Sequence, residues 1–108
     1  MAGFPIVAES DLARLFQHRG LVVVDFFTPG CIPCQKIEPM LVAVAREHPG
    51  QIRVVKVDAS ANRALAGQYG VRAGPTLLLF KDRQLVDRRT GFAVASQLRE
   101  WIEPHLDR

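Results

Sequence analysis

The sequence predicts an α/β fold, a central mixed β-sheet with helices on both of its faces. Three observations lead there. Apolar runs of strand length alternate along the chain with segments whose apolar residues recur at helical spacing. The run LVVVDFF, Leu21 to Phe27, is apolar without alternation, as a strand covered on both faces must be. The last two strand-like runs, TLLLF and LVDRRT, are separated only by the polar turn KDRQ, Lys81 to Gln84, which closes a hairpin.

Each element follows from local signals. A short strand is expected at Ile6-Val7. Ser10 is placed to cap a first helix, with Leu12, Leu15 and Phe16 on its apolar face and Gly20 past its end. The Leu21–Phe27 strand comes next. Ile37, Met40, Leu41, Val44 and Ala45 then give a second helix one apolar face, interrupted at Pro39 and stopped by His48-Pro49-Gly50. IRVVKVD, Ile52 to Asp58, reads as a strand, and ANRALAGQYG, Ala61 to Gly70, as a short, weak helix containing Gly67. Thr76 to Phe80 is a third buried strand, and Leu85 to Thr90 its hairpin partner. Leu98, Trp101 and Ile102 mark a C-terminal helix that Pro104 ends or bends. Strands linked through helices favour parallel pairing, and the hairpin adds an antiparallel edge.

The 108 residues suffice for one domain, taken as 1–108. At 48% hydrophobic and 23% charged, the composition is globular. No apolar run approaches the roughly 20 residues of a membrane helix. The start, MAGFPIVAESDLARLF, lacks a basic segment followed by an apolar one, so a cytoplasmic location is expected. The net charge of +3 comes from dispersed basic residues rather than a dense stripe with aromatics, which argues against nucleic-acid binding. No self-association surface stands out, and a monomer is the default.

Both cysteines fall in TPGCIPCQ, Thr28 to Gln35. Three roles compete for them. As a structural staple the pair closes too small a loop to remove much entropy from the unfolded chain. A structural zinc needs four ligands, and His18, His48 and His105 are scattered. A redox pair fits better, because the motif follows a buried strand and opens a helix, the end where free N–H groups and the helix dipole favour a thiolate. Cys31 is then the exposed nucleophile. Cys34, one turn further in, is more buried and resolves the mixed disulfide. Pro33 stiffens the first turn, where its missing N–H is harmless.

Asp25 lies within the VVVDFF run, where an unpaired charge is costly to bury. It reads either as an aspartate turned to solvent or as a buried acid of raised pKa beneath the cysteines, able to take the Cys34 proton through water. Lys56, on the neighbouring strand, is either its partner or a snorkelling surface lysine. Gly74-Pro75 opens the TLLLF strand, a position a proline tolerates.

VVVDFF, CIPC, Pro39, KVD, QYGVRAGPTLLLF and TGF occur together in an order and spacing that resembles the thioredoxin family, from about Ser10 to Leu106. The resemblance implies the thioredoxin fold and a thiol–disulfide oxidoreductase that reduces protein disulfides without a cofactor or metal. It implies Cys31 as nucleophile, Cys34 as resolving cysteine, Asp25 as proton-transfer carboxylate with Lys56 near it, and Pro75 as a cis-proline facing the pair. Ala73 and Gly74 would pair with an extended substrate segment, and the loop around Gly91 would complete an apolar docking patch with Ile32 and Pro33. Disulfide-containing proteins are the implied substrates and a flavin-dependent reductase the implied recycling partner. The chain departs from the family at Gly30, where a tryptophan is usual, at Phe27, which replaces a second one, and at Ile32, which replaces a glycine. Those departures motivate an alternative, a binding or assembly module that uses the groove without redox cycling.

Overall fold

In the computed structural model, which describes residues 3–17 and 19–107, the chain runs through α1 (Glu9–Leu15), β1 (Leu21–Phe27), α2 (Ile32–Glu47), β2 (Ile52–Asp58), α3 (Arg63–Gln68), β3 (Thr76–Lys81), β4 (Gln84–Thr90) and α4 (Ala95–Ile102). A single 3₁₀ turn, Glu103–His105, carries Pro104 and follows α4. Among the described residues one four-stranded sheet forms, in the order β2-β1-β3-β4. β1 and β2 are parallel, while β1–β3 and β3–β4 are antiparallel.

The antiparallel β1–β3 pair corrects the expectation that helix-linked strands run parallel. Helix length explains the difference. The seven residues of β1 span about 23 Å, and the 16-residue α2 spans about 24 Å, so α2 returns the chain to the starting edge and β2 sets off parallel. The six residues of α3 span only about 9 Å. The chain therefore re-enters the sheet near the end at which β2 stopped, and Thr76 pairs with Phe26 at the carboxyl end of β1.

Two further expectations change. α1 starts at Glu9, with Ala8 at its cap; Ser10 lies inside the first turn. Asp11 supplies the acceptor instead, its Oδ2 taking the Ala8 N–H at 3.0 Å, where a carboxylate also complements the helix dipole. Ile6-Val7 makes one parallel bridge to Lys56 rather than a strand, held by Val7 N to Lys56 O at 2.8 Å and Lys56 N to Pro5 O at 2.9 Å.

The β3–β4 hairpin turns on Asp82 and Arg83, at φ 47° and 75°, the left-handed pair that a two-residue loop requires. Asp82 is anchored by Gly20, whose N–H donates to its Oδ1 at 2.8 Å.

Period-two alternation along β1 builds two cores. Leu21 and Val23 point toward α2 and α4, joining Ile37, Leu41, Val44, Leu77, Leu79, Leu98 and Ile102. Val22, Val24 and Phe26 point the other way, joining Leu12, Leu65, Leu78 and Phe80 under α1 and α3. Full burial of each such side chain is worth about 1.5–3 kcal/mol. The same alternation puts Asp25 on the α2 side, in line with Leu21 and Val23 but near the carboxyl end of the strand. β4 is the exposed antiparallel edge, as its sequence predicts.

Candidate active site

The site is assembled where β1 ends and α2 begins. Thr28, Pro29 and Gly30 make the turn, and Gly30 sits at φ +78° with open space around it, a conformation that costs a glycine nothing and a tryptophan strain. The Cys31 N–H returns to Thr28 O at 3.3 Å. Cys31 is the N-cap of α2, and its Sγ accepts the Cys34 N–H at 3.2 Å. Ordinary caps use an oxygen here; this helix directs a free donor at a sulfur. Pro33 occupies the first turn, as expected. The two sulfurs are joined in a disulfide, with Cα atoms 5.2 Å apart. Cys31 is partly exposed and Cys34 is 4% exposed, the asymmetry that the sequence predicts.

A second wall comes from the loop before β3. The Gly74–Pro75 peptide is cis. Gly74 lies against the disulfide so closely that a Cβ there would be 2.6 Å from Cys34 Sγ and 3.5 Å from Cys31 Sγ. Ala73 is exposed, and its carbonyl accepts from Thr76 Oγ1 at 2.6 Å. Gly91 is drawn in by its N–H, which donates to Pro75 O at 2.8 Å. Ile32 and Phe92 are 55% and 44% exposed, an aliphatic beside the disulfide and an aromatic one residue past Gly91. A cavity of about 280 Å³ runs beside this wall, lined by Thr28, Arg63, Arg72, Ala73 and Gly74 over Phe26 and Val71.

Near the cysteine turn lies a polar group of three residues, Asp25, Lys56 and Glu38. Asp25 has no exposed surface, and neither carboxylate oxygen has a hydrogen-bond partner among the described residues. Burial pushes its carboxyl up to about 7; nearby Lys56 pulls it down by less, and Glu38 adds a further rise. Lys56 stands opposite Asp25 in the parallel register. Its ammonium nevertheless bonds Glu38 Oε1, at 3.3 Å, and lies 4.6 Å from the centre of the Phe27 ring. The expected Asp25–Lys56 partnership is thus one of proximity, without a hydrogen bond, because the long lysine arm reaches across to α2. Glu38, Lys56, Cys34 and Gly30 line one cavity of about 150 Å³, room for a few waters at the ~30 Å³ each occupies in the liquid.

Sequence reasoning missed Glu38. Its signal was its spacing: it follows Cys34 by four residues, so helical geometry stacks it on the same face. Of the expected site residues, the structure joins Cys31 to Cys34, sets Gly74 against both sulfurs, ties Gly91 to Pro75 and places Lys56 opposite Asp25. A wider cleft, about 710 Å³, lies elsewhere, between Pro5, Val7, Leu15 and the Ile52–Val55 stretch of β2, and is lined by none of them. Cys34, Glu38 and Lys56 instead line the cavity of about 150 Å³.

Among the described residues one cluster has metal-ligand spacing, Glu47, His48 and Glu103. Its members already have partners: Arg99 clasps Glu47 with two bonds of 2.7 and 2.6 Å, and His48 Nε2 lies 2.9 Å from Glu103 Oε2. It sits at the far end of α2 from the cysteines. His18 lies outside the described residues.

Comparisons with known proteins agree with this geometry. Residues 6–104 match the family model described as Thioredoxin. The chain is 41% identical over 85 residues to thioredoxin 1 of Nostoc sp., covering 79% of each chain. It is 39% identical over 88 residues to the thioredoxin of Bacillus subtilis, covering 82% of this chain and 85% of that one. Among solved structures, a mutant thioredoxin from Halobacterium salinarum superposes with a TM-score of 0.87 at 33% identity, covering 98% of this chain and 93% of the other. The thioredoxin of Fasciola hepatica superposes with a TM-score of 0.83 at 39% identity, covering 94% and 99%.

Proposed function

This chain belongs to the thioredoxin family and is a thiol–disulfide oxidoreductase, and from that premise we propose how its residues divide the reaction. The activity reduces protein disulfides, uses the protein's own cysteine pair and needs no added cofactor. A thioredoxin reductase restores the dithiol.

In the reduced protein, Cys31 is the nucleophile. Its position at the α2 cap, with the Cys34 N–H aimed at its sulfur, supports this role. The Cys31 thiolate attacks one sulfur of the substrate disulfide. That S–S bond breaks, the other substrate sulfur leaves as a thiolate, and a mixed disulfide remains. Cys34 then gives its proton to Asp25 through water and attacks Cys31 Sγ. The Cys31–Cys34 bond forms, the second substrate thiol is released, and two electrons have passed to the substrate. A base with a pKa near 7 is well matched to this proton transfer.

Substrate enters as an extended segment against Ala73 and Gly74, held by the cis-Pro75 loop, with Gly30, Ile32, Pro33 and the Gly91 loop as the docking surface. The open Gly30 turn and the exposed Ile32 give this surface an aliphatic rather than an indole face. The chain acts as one domain and as a monomer, in the cytoplasm, carrying electrons from a flavin-dependent reductase. Nucleic acid and membrane are not partners.

The single observation that carries the mechanism is the partly exposed Cys31 at a helix N-terminus, disulfide-bonded to a buried Cys34. Insulin reduction by dithiothreitol tests it. The protein should accelerate turbidity well beyond dithiothreitol alone, and Cys31→Ser should remove the acceleration. A Cys31→Ser variant as active as the parent would refute the assignment. Rescue of a deletion strain by the Cys31→Ser/Cys34→Ser double variant would favour the binding-module alternative instead.

A further inference from the structure

Glu38 pairs with Lys56, the residue that stands opposite buried Asp25 in the β1–β2 register. Asp25 is on β1 under α2. The charged groups that act on it are Lys56 from β2 and Glu38 from α2; its β3 neighbour, Leu77, is apolar. Lys56 is the one cation of this set. A lysine opposite a buried carboxylate in adjacent parallel strands would ordinarily swing onto it, since an unpaired buried charge is costly. Here the ammonium is 3.3 Å from Glu38 Oε1, with only 16% and 25% of the two side chains exposed. Gly3 closes over the other carboxylate oxygen, where a Cβ on it would be 2.7 Å from Glu38 Oε2. Glu38 is therefore enclosed between Lys56 and the N-terminal segment rather than free in solvent.

We propose that Glu38 is a positioning residue for the resolving step: it holds the Lys56 ammonium beside the Cys34 cavity, without a bond to Asp25, so that Asp25 remains able to accept the Cys34 proton. The proposal rests on the reading of Asp25 as the Cys34 proton acceptor. Were Lys56 bonded to Asp25, the carboxylate would be stabilised and would become a poor base for a thiol. Held together, Lys56 and Glu38 also give the cavity beside Cys34 a polar wall. Glu38 acts in two ways of the same sign: its own charge repels the Asp25 carboxylate, and its grip withholds the compensating cation.

A carboxyl-carbon NMR titration of Asp25 in the intact reduced protein tests this without relying on turnover. In Glu38→Gln the Asp25 midpoint should fall by roughly half to one pH unit, on the scale of a partly screened charge a few ångströms away. In Lys56→Gln it should rise. In the Lys56→Gln background the Glu38→Gln substitution should move the midpoint by distinctly less, because only the direct repulsion remains. The acid limb of the resolving rate should follow the Glu38→Gln displacement. An Asp25 midpoint that stays put or rises in Glu38→Gln would overturn the proposal, as would an equal displacement with and without Lys56. Asp25→Asn separately measures the parent reading. A resolving rate indifferent to Asp25→Asn refutes the proton-acceptor role, even if the titrations show that Glu38 controls Lys56.

Discussion

Gly74 and Cys34 are in contact across the active site, glycine backbone against sulfur: a methyl group added to Gly74 would lie 2.6 Å from Cys34 Sγ. No real Cβ is tolerated at that distance, so any side chain there forces the disulfide or the cis-proline loop to move.

Gly74→Ala should destabilise the oxidised protein by about 1–3 kcal/mol, the usual cost of overpacking a close-packed site. Urea unfolding of the oxidised variant and parent measures this. Unchanged stability would mean that the loop yields freely and does not brace the disulfide.

Stability should depend on pH through Asp25. Its carboxyl is raised from 3.8 to about 7 by burial, so the native state holds a proton that the unfolded chain has already lost. The contribution is fully present below pH 3.8 and is lost as pH rises through about 7. The loss amounts to about 4 kcal/mol at 1.36 kcal/mol per pH unit. Asp25→Asn should flatten this dependence and exceed the parent in stability at pH 8, as read by denaturant midpoints across pH. Parallel curves for the two proteins would contradict the burial of an uncompensated acid.

Cys34→Ser should trap the first half-reaction. With attack by Cys31 intact and resolution impossible, a mixed disulfide with the substrate should accumulate and survive denaturation without reductant. Mass spectrometry of the adduct should place the bond at Cys31. An adduct at neither cysteine, with normal turnover, would sink the two-step scheme.

Ile32 and Phe92 present exposed apolar surface around the site. Ile32→Ser and Phe92→Ser should each lower kcat/KM for a protein disulfide about 5- to 10-fold, the scale of about 1 kcal/mol of lost apolar contact. Reduction of a small aromatic disulfide such as dithiobis(nitrobenzoate) should change little. Equal losses on both substrates would point to damage at the sulfurs rather than lost docking.

The chemistry was legible because it is local. CIPC after a buried strand places one sulfur at a helix start and the other one turn inside, and chain geometry alone orders their exposure. The β1 run was legible for a similar reason: residues buried on both faces carry no polar alternation, and Asp25 stood out against them. Glu38 escaped notice because one glutamate on a helix is ordinary until its neighbour across the sheet is known. Ser10 misled because a hydroxyl before an apolar face is a common cap, and only the folded turn shows that Asp11 does the work.

The sequence by itself determined which segments become the four strands of the sheet and the helices around it, and which cysteines could perform disulfide exchange. These follow from periodicities and spacings within a few residues, and covalent geometry transmits them directly. Tertiary structure alone decided the direction of β3, the approach of Gly74 to the disulfide and the choice of Lys56 between Asp25 and Glu38. Those outcomes depend on where distant segments meet, on how far a six-residue helix can carry the chain, and on which of two carboxylates a flexible ammonium reaches first.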